Sequence, residues 1–317
     1  MENKNGYSFG DEIRKILYEP DIVETDFYSI ADMRVAMLDK PKYPYKTMVN
    51  MATKAWGNKS NKWEDISPKT RFEIVKMILQ KKALPLALEH PTFSFSVDRI
   101  SRAAFDQIAR ARIGIVFASK GQKDDNLHGM GFVIPTPILF DRMKLIKVQS
   151  LCIEAKKLYA DFIENGIPNW AARCVLPIYA EHSFIFSANF SAIQNLLSKR
   201  FETTEMEDVV AFSLLMRKAI YREFPLLAEY LRPSCDFIKR DMTASYNGFS
   251  DYIGVPHISD GRQAGYDGER WPAKWDEPCT DITRVIVMTK AALPDQWNDN
   301  IQWDDLEETD KEQFNKD

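Results

Sequence analysis

Between residues 89 and 122 the chain gathers side chains suited to holding an anion: Glu89 and His90, Gln107, Arg110 and Arg112, then Lys120, Gly121 and Gln122. A guanidinium donates through a planar fork that matches phosphate oxygens, an ammonium supplies a point charge, and an amide both donates and accepts. On a helix, Gln107, Arg110 and Ala111 stand at i, i+3 and i+4 and share one face, while Arg112 turns to a neighbouring surface. That face presents an amide beside a cation. If residues 120–122 are extended, Lys120 and Gln122 point to one side. Arg200, at the end of a later helical pattern, adds another guanidinium. The plainer alternative for the three arginines is a cation near a helix C-terminus, favoured by the helix dipole. For Glu89 and His90 the alternative is a structural pair beside a strand, and for Asp106 an exposed helix carboxylate. His128, His182 and His257 are taken as structural or surface residues.

Composition narrows the ligand. The chain has 317 residues, 45% of them hydrophobic, a formal net charge of −4 and four cysteines. That is enough apolar material for a substantial core. The slight acidity argues against a broad nucleic-acid surface and leaves room for a local basic pocket, so a small anion fits better than a polymer. Cys152, Cys174, Cys235 and Cys279 are widely spaced and show no C-x-x-C pair, which suggests neither a zinc knuckle nor a disulfide scaffold. The isolated histidines form no metal-ligand cluster. No run of about 18 apolar residues appears, and the first residues lack the apolar stretch of a signal peptide, so no membrane span and a cytoplasmic location are expected.

The elements that must position these residues follow from periodicity. Residues 1–47 read as an irregular extension outside the core, with a short helix near Asp11 to Tyr18. Ser67 is a plausible N-cap and Pro68 a first helical residue for a helix ending near Lys82, with Phe72, Val75, Ile78 and Leu79 inward. Phe93 to Val97 alternates as a half-buried strand, and Ile100 to Arg112 returns to helical spacing. Residues 115–118 read as an apolar loop. Met143 to Asn165 is a long amphipathic helix with Leu145, Val148, Cys152, Ala155, Tyr159 and Phe162 inward, closed by Asn165-Gly166. A second strand-to-helix unit covers Ser183 to Arg200, and one long helix is expected from Asp208 to Leu231. Residues 233–317 read as an appended wrapping segment with an acidic, disordered end. Its Trp271, Trp275, Trp297 and Trp303 either anchor it to the core or stack on an aromatic ligand. No internal repeat is found.

The order Glu89-His90, Phe93-Ser94-Phe95, Ser101-Arg102, Gln107 and Arg110-Ala111-Arg112 resembles the flavin-dependent thymidylate synthases. The second half agrees, through Ala172-Arg173-Cys174-Val175-Leu176-Pro177, Asn189 and Arg200. The resemblance spans residues 48–232. Its departures are equally specific. Where the family reads R-H-R-x-x-S-x-x-x-x-S-x-R, Ala111 replaces the His, Ile115 and Lys120 replace the serines, and Gln122 replaces the last Arg. Ser119 lies one residue from an expected serine. The family's H-x-x-P-x-E-H loses its first His at Leu84, and its A-Q-W-E segment has no clear counterpart at residues 205–209.

The resemblance implies an α+β fold, a twisted sheet flanked by long helices, in three parts: extension 1–47, core 48–232 and C-terminal segment 233–317. It implies a homotetramer with sites between subunits. FAD would be the cofactor, methylenetetrahydrofolate and NADPH the co-substrates, and a pyrimidine deoxynucleotide, dUMP, the one-carbon acceptor. Arg110 and Arg112 would meet flavin phosphates, and Glu89 and His90 the flavin or folate. Gln107, Lys120, Gly121, Gln122 and Arg200 would meet the nucleotide, with Gln107, Lys120 and Gln122 as the catalytic candidates. Three readings stay open: a thymidylate synthase, a related enzyme leaving a hydroxymethyl group, and a homologue that binds without turnover.

Overall fold

The computed structural model describes residues 26–57, 62–119, 121, 127, 129–135, 138, 142–200, 206–232 and 300–316. The helix expected near residues 11–18, Lys120, Gln122, His128, His257, Cys235, Cys279, Trp271, Trp275 and Trp297 lie outside them. In chain order the elements are β1 (Phe27–Tyr28), β2 (Arg34–Asp39), α1 (Pro44–Trp56), α2 (Pro68–Leu79), β3 (Thr92–Ser101), α3 (Arg102–Ile108) and β4 (Ile115–Ser119). They continue with β5 (Phe132–Val133), α4 (Arg142–Glu164), α5 (Asn169–Ala172), β6 (Glu181–Asn189), α6 (Phe190–Arg200), α7 (Glu207–Tyr221), α8 (Pro225–Glu229) and α9 (Glu308–Asn315). The architecture is α+β, with one antiparallel sheet in the order β2-β3-β6-β4 and a small parallel pair β1-β5.

Alternation explains the sheet. On β3, Phe93, Phe95 and Val97 turn inward and are buried, while Ser94 and Ser96 turn outward. On β6, Phe184, Phe186 and Ala188 do the same. The register sets Phe95 opposite Phe186, with ring centroids 5.1 Å apart, and Phe212 of α7 closes over Phe186 at 5.8 Å. On the far face Ser94 and Ser187 share a hydroxyl hydrogen bond of 2.7 Å.

Several boundaries differ from the sequence expectation. Residues 34–39 are not irregular: they pair with β3, and Ile30, Met33 and Tyr45 belong to the main core. Residues 115–118 are strand, because Ile115 and Phe117 pack inward beside β6. The expected helix over 208–231 breaks between Tyr221 and Pro225, where proline disfavours a helical residue before it and Phe224 leaves the helical region at φ −143°, ψ 74°. The chain end is ordered: α9 buries Phe314, which stacks on Tyr45 at 4.5 Å and meets Phe72 edge-on at 5.9 Å. Trp303 packs on Phe72 as an anchor. Other expectations match: Ser67 Oγ accepts from Thr70 N at 3.3 Å, Pro68 opens α2, and Gly166 at φ 80° follows α4. Among the described residues no helix is long and apolar enough to cross a membrane, and no group of metal-binding side chains is found.

Candidate functional site

The strand-to-helix turn at Ser101 builds the site. Ser101 Oγ accepts from Ala104 N at 3.0 Å and so caps α3, and the same hydroxyl donates to the Asp208 carboxylate at the start of α7. One buried serine therefore ties two helix N-termini together. Burial pushes the Asp208 carboxyl up, against the Ser101 hydroxyl and backbone N–H groups that favour its charged form. His182 beside them is buried against Phe105, ring centroids 4.4 Å apart; burial first, and the Arg102 cation second, lower its pKa to about 4. It is a neutral structural residue. Asp106 pairs with Arg102 at 3.0 Å.

The cap starts α3 at Arg102, and the helix ends at Ile108. Gln107 is its penultimate residue, and residues 109–114 form the turn into β4. Gln107, Arg110 and Ala111 thus do not share one helical face, which corrects the expectation of a helix through Arg112. Gln107 is half-buried and donates from Nε2 to Met206 Sδ at 2.9 Å. Its backbone carbonyl accepts from Arg200 Nη2 at 3.1 Å. Arg200 ends α6, so the two halves of the chain meet at this bond. Arg110 and Arg112 are exposed in the turn, and Ala111 packs partly against the core.

The turn is held from the other strand-to-helix unit. Asn189 Oδ1 accepts from Ala192 N at 2.8 Å, capping α6, and Asn189 N donates to Gly114 O at 3.1 Å. Gly114 has φ 73°, and a Cβ there would lie 2.7 Å from Asn189 Nδ2.

Glu89 ends a 3-10 turn over Pro85–Glu89, and His90 follows it; both are exposed at the entrance to β3. No described contact joins them to Gln107 or Arg200. Gly121 is half-buried beyond β4. The structure therefore brings Gln107 and Arg200 together, sets Arg110 and Arg112 on the turn that follows Gln107, and leaves Glu89 and His90 as a separate group. Sequence reasoning missed Met206 and the pairing of Ser101 with Asp208. The one available signal was Ser101 itself, a cap residue between an alternating strand and a helix.

Comparison with known proteins follows the same frame. The chain is 27% identical over 148 residues to the flavin-dependent thymidylate synthase of Saccharolobus solfataricus, covering 47% of this chain and 56% of that protein. It thus spans little more than half the length of that relative. It is 27% identical over 180 residues to the flavin-dependent thymidylate synthase of Pyrococcus furiosus, covering 53% of this chain and 70% of the other. Among solved structures, the UMP/dUMP methylase PolB from Streptomyces cacaoi, bound with 5-Br dUMP, matches with a TM-score of 0.55 at 15% identity. That match covers 65% of this chain and 96% of PolB, and shows a shared fold. The family model of the thymidylate synthase complementing proteins matches residues 36–226, the capped turn and both strand-to-helix units included, and the chain belongs to that family.

Proposed function

We propose that this protein is a flavin-dependent enzyme that transfers a one-carbon unit from methylenetetrahydrofolate to C5 of a pyrimidine deoxynucleotide, dUMP in the first instance, with NADPH as reductant. The observation that carries the reading is the hydrogen bond from Arg200 to the Gln107 backbone carbonyl, which sets a phosphate-type cation beside the residue whose side-chain amide can address a base. The relatives are flavin-dependent thymidylate synthases and the structural neighbour is a UMP/dUMP methylase. The residues present fit FAD at its phosphates: Arg110 and Arg112 are exposed, and among the described residues no ion pair or side-chain hydrogen bond holds either one. Ala111 offers no imidazole between them. Glu89 and His90 would lie on the flavin or folate side. When bound, the flavin supplies the redox chemistry of the transfer.

The protein's own groups bind and orient. Arg200 would take the nucleotide phosphate, and Lys120 and Gly121 would border it. With Gln107 Nε2 held by a sulfur acceptor, Oε1 is the end left to accept from a base N–H. Gln122 would address the base through an amide that pairs with the N3–H and O4 edge of uracil or, flipped, with the N3 and N4 edge of cytosine. A second reading, in which water captures the transferred unit and leaves a hydroxymethyl group, is favoured by Ala111, which removes a family side chain. Incubation with flavin, methylenetetrahydrofolate, NADPH and dUMP, followed by mass analysis, tests both. A methylated nucleotide is expected. A hydroxymethyl product supports the second reading, and binding of flavin and nucleotide without product sinks both.

The same reading includes a homotetramer and a cytoplasmic location. The outer face of the sheet is uncovered in the described chain and carries Leu38, Val116 and Ile185 at 55%, 72% and 45% exposure around the small Ser94–Ser187 pair. An exposed, apolar-rimmed face of this kind suits another copy. Ile185→Lys should lower the mass measured by light scattering, and an unchanged mass would remove this face from the interface.

A further inference from the structure

Helix α4 has 23 residues and is about 35 Å long at the usual helical rise. It turns Leu145, Cys152 and Tyr159 inward, and all three are buried. Roughly a quarter turn around the helix, at about 100° per residue, stand Leu151, Leu158 and Phe162, spaced i, i+7 and i+11. Leu151 is 64% exposed, Leu158 is 43% exposed, and Phe162 and the small Ala155 between them are half-buried. A single exposed leucine is ordinary; an apolar stripe along one side of a helix is the mark of a surface that is covered in the assembled protein.

The order of residues along the stripe says what covers it. Leu151 and Leu158 lie at equal distances from the point between Glu154 and Ala155, so an antiparallel copy of α4 sets each Leu151 against Leu158 of the other copy. The charges follow the same symmetry. Lys147 and Asp161 lie at equal distances on either side of Glu154, along one edge of the stripe, and both are exposed. Among the described residues neither makes an ion pair; the Asp161 carboxylate accepts only from Asn165, at 3.0 Å. An antiparallel copy brings each Lys147 to Asp161 of the other, twice over. A parallel copy would set like charge against like. The one like-charged approach left at the centre, Glu154 to Glu154, is offset within each chain by Lys157, which holds Glu154 at 2.9 Å.

We propose that α4 pairs antiparallel with α4 of a second copy across a twofold axis at Glu154 and Ala155. The inference rests on the homotetramer read above: a tetramer of dihedral symmetry needs two different self-complementary contacts, and the sheet face supplies only one. Helix α4 is the other. Leu151 and Leu158 form the apolar seam, Ala155 lets the two helices approach, and Lys147 and Asp161 fix the direction of pairing.

Light scattering on the full chain tests this with surface substitutions that leave the core untouched. Leu158→Lys should halve the tetramer mass, Ile185→Lys should halve it through the sheet face, and the two together should give a monomer. In the Ile185→Lys dimer, Lys147→Asp should raise the dissociation constant about tenfold, because two attractions become two repulsions. Adding Asp161→Lys should restore it, which a change in helix stability alone would not do. An unchanged mass in Leu158→Lys, with Ile185→Lys still halving it, overturns the α4 contact and leaves the sheet face standing. Halving by Leu158→Lys alone, with Ile185→Lys silent, supports α4 and removes the sheet face. An unchanged mass with a lowered melting temperature in Leu158→Lys would give the stripe to the chain's own remaining residues and overturns the proposal, as does a monomeric unmodified protein.

Discussion

Arg200 shows how much one side chain draws on its surroundings. Its guanidinium reaches the carbonyl at the end of α3, and the amide of the same Gln107 is turned by Met206. A guanidinium donates through a planar fork of N–H groups, and the Gln107 carbonyl helps to orient it. Arg200→Ala should therefore weaken binding of a pyrimidine nucleoside monophosphate by about 2 kcal/mol or more and leave the nucleoside nearly unchanged. Equal losses for both, in paired titrations, would make Arg200 a structural residue. Gln107 and Arg200 were legible in the sequence because an amide and a guanidinium stand out by type and order. Met206 was not: a methionine beside an apolar run reads as core, and its contact spans 99 positions. Asp208 was hidden likewise, since a carboxylate at a helix start is ordinarily a dipole partner and its serine lies 107 positions away.

At the level of elements, local rules located most starts and misjudged several ends. Ser67-Pro68 and Ser101 cap as their types demand, and the Phe-x-Phe alternations of β3 and β6 became the paired centre of the sheet. The expected helix through Arg112 stops at Ile108, and the chain turns into β4 through Gly114 at φ 73°, whose carbonyl accepts from Asn189 N. Residues 115–118 looked like a loop because apolar runs of that length carry no unique period, and only pairing with β6 decides them. Gly114 is where element and site meet. Gly114→Ala forces a side chain into φ 73° and drives Cβ against the amide that caps α6. A loss of roughly 2–3 kcal/mol in denaturant stability is expected. Flavin affinity should fall with it, because Arg110 and Arg112 ride on the same turn. Unchanged stability would show that Asn189 gives way freely.

The whole molecule is closed by a segment that the sequence presented as a disordered acidic tail. Residues 300–316 return to α1 and α2: Arg71 donates to Trp63 O and Phe314 O, Trp63 Nε1 donates to Lys316 O at 2.9 Å, and Trp303–Asp305 repeats the capped 3-10 turn of Trp63–Asp65. Charge content concealed this, because the deciding residues, Phe314 and Asp310, are single side chains inside a polar helix. Asp310 is 1% exposed; it accepts from Tyr45 Oη and, at 2.7 Å, from Leu226 N, which joins α9 to α1 and α8.

That carboxyl makes the closure depend on pH, with a definite sign. Burial raises Asp310 from 3.8 to about 7; the hydrogen bonds from Tyr45 and Leu226 oppose the shift, and the carboxylates of Glu307 and Glu229 add to it. Tyr221 of α7 faces the same group, and burial pushes its hydroxyl up as well. A group whose folded pKa lies above its unfolded value binds more protons in the folded state, so its stabilising contribution is complete below about pH 4 and is lost as pH rises toward 7. The full shift corresponds to roughly 4 kcal/mol. Asp310→Asn keeps an acceptor for Leu226 N and removes the titration. The stability difference between Asp310→Asn and the unmodified protein should therefore grow in favour of the variant from pH 4.5 to 7.5, while other acids titrate alike in both. Denaturation followed at Trp63 and Trp303 would measure it. A difference that stays flat across that range would mean Asp310 remains charged in the folded chain, held by Tyr45 and Leu226 against its burial.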